Sequence, residues 1–137
     1  MFLFGTSANI VFDINLIVQY VVLIILLTGL YKRGLRSEHG RLMVGATALN
    51  LITVFLIMAP SLFLNLSSYN STIFLHAALG ITILLVSFVF IGRFGRAIST
   101  KSPLVCGSKN IMRLAIILWL LPLVGGTFIY LQLYVLV

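Results

Sequence analysis

Four long apolar stretches, approximately Ile10 to Tyr31, Leu42 to Phe63, Ile73 to Ile91 and Ile111 to Val137, take up most of this 137-residue chain. Each is close to the ~20 residues that a helix rising ~1.5 Å per residue needs to cross a hydrocarbon layer about 30 Å thick. In lipid, every backbone amide must be paired within its own helix or in a closed barrel, and these unbroken runs lack the alternation of barrel strands. The pattern predicts an all-α membrane protein. It forms one integral domain over residues 1–137, a four-transmembrane-helix bundle with helices at about 10–31, 42–63, 73–91 and 111–137. A chain that is 61% hydrophobic, with 9 Lys and Arg and 2 Asp and Glu, cannot give a soluble domain of this size its polar coat. A soluble enzyme and a disordered tail are thereby excluded, and the single cysteine, Cys106, excludes a disulfide scaffold.

The excess of basic residues would fit a nucleic-acid binder only if a folded surface displayed them. Instead they fall into two connections: Lys32, Arg33, Arg36 and Arg41 in the first, and Arg93, Arg96, Lys101, Lys109 and Arg113 in the third. The positive-inside rule puts both clusters in the cytoplasm and both termini outside, in a multi-pass protein of the plasma membrane. The bilayer is then the immediate partner, and no nucleic acid is expected. The first residues, Met1-Phe2-Leu3-Phe4-Gly5, carry no basic charge, so span one is expected to be retained rather than cleaved as a signal peptide. The short connection between spans two and three predicts a tight hairpin. It holds two glycosylation sequons on the outer side, Asn65-Leu66-Ser67 and Asn70-Ser71-Thr72.

Polar side chains at membrane depth turn toward protein, so their helical phase marks the inward faces. His39, Met43, Ala46, Asn50, Thr53 and Ile57 make one stripe on span two. Asn15, Gln19 and Gly29 make another on span one, His76, Gly80 and Ser87 a third on span three, and Trp119, Pro122, Gly126 and Tyr130 a fourth on span four. Asn15, Gln19, Asn50, Thr53 and Ser87 are read as interhelical hydrogen-bonding groups of a self-packed bundle.

The two histidines are candidate cofactor ligands. His39 opens span two at one surface and His76 lies near the other end of span three, about 30 Å apart in rise, so they cannot share one ion. Met43 stands one turn from His39. Met112 lies at a similar depth with Cys106 in the adjoining loop, and Met58 faces the level of His76. Imidazole, thioether and thiol suit Cu(I), and His with Met can ligate haem iron. Against this stands the reading of hydrogen-bonded histidines among ordinary gap-filling methionines. The spans offer no paired carboxylates and no phosphate loop. Asp13, at the outer end, is a poor match for the buried carboxylate of a small multidrug exporter, and no acid stands ready to orient a histidine for nucleophilic chemistry.

From His39 onward the chain resembles the bacterial and archaeal membrane family catalogued as domain of unknown function 420, whose better-known members are assembly factors for haem–copper terminal oxidases. The resemblance lies in His39-Gly40-Arg41-Leu42-Met43 at the start of helix two, His76 early in helix three, and Arg113, Trp119, Gly126 and Tyr130 in the last helix. Family members also carry a histidine near the outer end of helix two and another just before helix four. Here those positions are Ser61 and Ser108, and the usual proline two residues before the tryptophan is Ile117. The resemblance implies a non-catalytic accessory or assembly subunit of a larger membrane oxidoreductase, with that complex as partner, no soluble substrate and no resident cofactor. The alternative is a small electron-carrying or metal-delivering protein that binds haem b or copper through His39 and His76, aided by Met43, Met58 and Met112.

Overall fold

Asn9 makes the first local decision in the chain. Its backbone is extended and its side-chain oxygen accepts from the Val11 amide at 3.2 Å, so helix α1 (Ile10–Tyr31) starts there. In the computed structural model, which describes residues 8–103 and 109–136, α1 leads through a 3₁₀ turn, Lys32–Gly34, into α2 (Arg36–Thr53). A π-helical stretch, Val54–Met58, joins α2 to α3 (Ala59–Leu64), and the three make up the second span. Asn70 caps α4 (Ser71–Ser99) through the Ile73 amide at 3.3 Å, and α5 runs over Lys109–Tyr134. Four helices are long and apolar enough to cross a membrane, and the described residues contain no strand.

The turn after α1 is so short that spans one and two must lie side by side and antiparallel. Spans three and four form the other close pair, and α2 touches α4 more loosely. Long side chains close the ring between spans one and four. The Phe12 and Tyr134 rings stack with centroids 5.6 Å apart, Tyr20 Oη lies 3.3 Å from Thr127 Oγ1, and Tyr130 donates a hydrogen bond to Asp13. Spans one and three therefore sit on a diagonal. The start of α1 and the end of α5 share one end of the bundle, here the terminal end, and the basic clusters share the other, the basic end.

Pro60 explains the π-turn. It has no amide hydrogen, and its ring would collide with the carbonyl four residues back in a regular helix. The backbone takes one wider turn, with the Ala59 amide bonded to the Val54 carbonyl, and this rotates the segment beyond it. Both Ile57 and Met58 then face the interior.

Two helices outrun their apolar stretches at the basic end. α2 begins at Arg36 rather than Leu42, and α4 continues past Ile91 to Ser99, so the connection expected over residues 92–110 is shorter. Arg96 in the last turn of α4 complements the negative helix end. The helix stops in a Schellman turn: Ser102 donates to the Ala97 carbonyl at 3.1 Å and Lys101 to the Ile98 carbonyl at 3.3 Å, with Lys101 left-handed at φ 51°.

Candidate functional site: two cavities along the bundle axis

The polar stripes meet inside the bundle. Gln19 Nε2 donates to Asn50 Oδ1 at 3.1 Å and to Thr53 Oγ1 at 3.0 Å, and Thr53 Oγ1 donates to the Asn50 carbonyl at 2.9 Å. Asn50 and Thr53 are buried, as are Thr47 and Ser87. Trp119, Leu120, Leu23 and Leu26 line both cavities of the interior and so separate one from the other.

The basic-end cavity, about 110 Å³, is lined by His39, Met43 and Met112 together with Thr47, Arg93 and Trp119. His39 is only 6% exposed, and its Nδ1 lies 2.7 Å from the Gly29 carbonyl oxygen. A carbonyl can only accept, so Nδ1 carries a proton and donates. Gly29 makes room for the Met43 methyl, with which a Cβ there would collide. Gly40 performs the same service for Phe94 of α4, whose ring lies where a Cβ would be.

The terminal-end cavity, about 320 Å³, is lined from all four spans and includes His76, Met58, Asn15, Gln19 and Asn50. His76 lies against the Gly125-Gly126 step of α5, where a Cβ on Gly126 would sit 2.9 Å from the ring Cε1. Ser61 is tied to Tyr69, oxygen to oxygen, at 2.9 Å. Asn15 Oδ1 and His76 Nδ1 are buried without a hydrogen-bond partner.

Of the residues singled out by sequence, the structure groups His39, Met43 and Met112 around one cavity and His76 and Met58 around the other. Each cavity thus has one imidazole with thioethers. The chain has two histidines and one lines each cavity, so the chain alone offers neither cavity a second imidazole. Among the described residues no three His, Cys, Asp or Glu side chains gather in a metal-binding group. Cys106 and Ser108 lie outside the described residues.

Sequence reasoning overlooked two features. Asp13, read as lying near the span's outer end, is fully buried and bonded by Tyr130. The signal was available, since a lone acid in an apolar helix needs a partner and Tyr130 was already on an inward stripe. The two sequon asparagines also have local backbone roles: Asn70 caps α4, and Asn65 Nδ2 donates to the Ser61 carbonyl at 3.0 Å.

No family model, curated protein or solved structure matches the chain. The resemblance drawn from helices two to four therefore rests on the quoted residues alone.

Proposed function

We propose that this chain is a non-catalytic accessory or assembly subunit of a larger membrane oxidoreductase, a respiratory terminal oxidase or similar complex. It would sit in the plasma membrane with both termini outside. One observation carries the reading. Of the residues that bear the family resemblance, His39, Met43, His76, Trp119, Gly126 and Tyr130 line the interior while Arg113 is exposed, and each cavity retains a single imidazole. That arrangement preserves a scaffold without the paired ligands of a haem. In the host, deletion of the gene should reduce the assembled oxidase, measured by its haem absorbance in membranes and by oxygen consumption. Undiminished oxidase in the deletion strain refutes the reading. Cysteine labelling tests orientation: a cysteine introduced at Ser68 should react from outside, and native Cys106 from the cytoplasmic side.

A second reading draws on the ring of His39. With Nδ1–H held by a backbone carbonyl, the other ring nitrogen, Nε2, is the one left to meet a soft ion, and Met43 and Met112 line the same cavity. Copper bound at one equivalent and lost in both His39→Ala and Met43→Ala would favour metal delivery over the scaffold role.

A further inference from the structure

We propose that the terminal-end cavity binds the ring head of a membrane-soluble quinone or quinol. This inference does not depend on which complex the chain joins. A space of about 320 Å³ falls in the size range of small-molecule sites, roughly 300–1,000 Å³. No charged side chain is among the residues lining it, which favours a neutral ligand. Buried polar atoms are nearly always paired in native proteins, yet two side chains lining this cavity, Asn15 and His76, each keep a buried atom without a partner.

Their placement narrows the ligand. Asn15 and His76 each lie five residues beyond the first residue of their helices, Ile10 and Ser71, about 7.5 Å in from the same end of the bundle. They belong to the two diagonal spans and so approach the cavity from opposite sides. A quinol can donate one hydroxyl to Asn15 Oδ1, which only accepts, and set the opposite hydroxyl against His76 Nδ1, and a quinone is met once the Asn15 amide turns to present its Nδ2–H; a sterol or fatty alcohol brings one hydroxyl. Gln19 and Asn50, the neighbouring polar groups, are already bonded to each other. Small residues, Ala77 and Gly80, leave room for the ring, and the π-turn forms part of the wall, a feature frequent at functional sites.

Trp119 is the only tryptophan and lines the cavity, so its fluorescence reports occupancy. With the protein in phosphatidylcholine nanodiscs, a decyl-tailed benzoquinone should quench Trp119 saturably. Asn15→Leu and His76→Phe should each raise the apparent Kd about 3- to 10-fold, the loss of one hydrogen bond. Gly80→Leu has no neighbour within 4 Å of its new Cβ; it should fold normally, fill the cavity and abolish saturable quenching. Leu85→Ala, on the lipid face, should change nothing. Quenching that rises linearly and equally in wild type and Gly80→Leu, as from quinone dissolved in lipid with only water in the cavity, overturns the proposal. So does equal displacement of the quinone by cholesterol or by dodecylbenzene.

Discussion

The Gln19–Asn50–Thr53 cluster permits a quantitative test of how spans one and two are held together. Gln19 Nε2 makes two donor contacts across the interface, at 3.1 Å to Asn50 and 3.0 Å to Thr53. Interhelical hydrogen bonds in membranes average about 0.6 kcal/mol and reach about 1.7, because unfolded helices in lipid also find partners. Asn50→Leu removes one contact and leaves Gln19 with Thr53, so the expected loss is about 0.6–1.7 kcal/mol. Gln19→Leu removes both contacts and strands the Asn50 oxygen, for about 1.2 kcal/mol from two average bonds, and more if Asn50 stays unpaired. In a double-mutant cycle the Gln19–Asn50 coupling should be about 0.6 kcal/mol or more, since the two residues touch and cannot act independently. Reversible unfolding in mixed detergent micelles, or steric trapping, measures each corner. A coupling indistinguishable from zero, or a cluster in which both leucine variants are more stable than wild type, would refute the assignment of this contact as an interhelical tie.

Other expectations follow from single contacts. Gly40→Leu should separate α2 from α4 at the basic end, where the Phe94 ring occupies the added side chain's position; a loss of about 1–3 kcal/mol, the usual range for overpacking, should appear in the same unfolding assay. Lys101→Gly should stabilise the chain by up to about 1 kcal/mol by relieving the left-handed backbone at φ 51°. Tyr130→Phe removes a hydrogen bond to the buried Asp13 and should cost about 0.5–3 kcal/mol, more than the same change at Tyr20, whose hydroxyl is on the lipid-facing edge. Glu38→Gln should be nearly silent, within about 1 kcal/mol, because its bridge to Lys32 is solvent-exposed at the basic end.

Hydrophobic run length and charge placement were enough, from sequence, to establish an all-helical chain with four membrane-length helices, because lipid leaves the backbone almost no other option. Helical phase was enough to turn Asn15, Gln19, Asn50, His76 and Tyr130 inward, since a polar group facing hydrocarbon is costly at any depth. The pairing of Asp13 with Tyr130, 117 residues apart, was decided only by how spans one and four close the ring. The same holds for the His39 bond to Gly29, which needs the backbone of one span exposed beside the ring of another, and for the π-turn at Val54–Met58, where Pro60 marks a disturbance without specifying its form. The division of the interior at Trp119 into two cavities, with His39 in one and His76 in the other, is likewise tertiary. Periodicity defines the face of one helix at a time, and a cavity exists only where several faces meet.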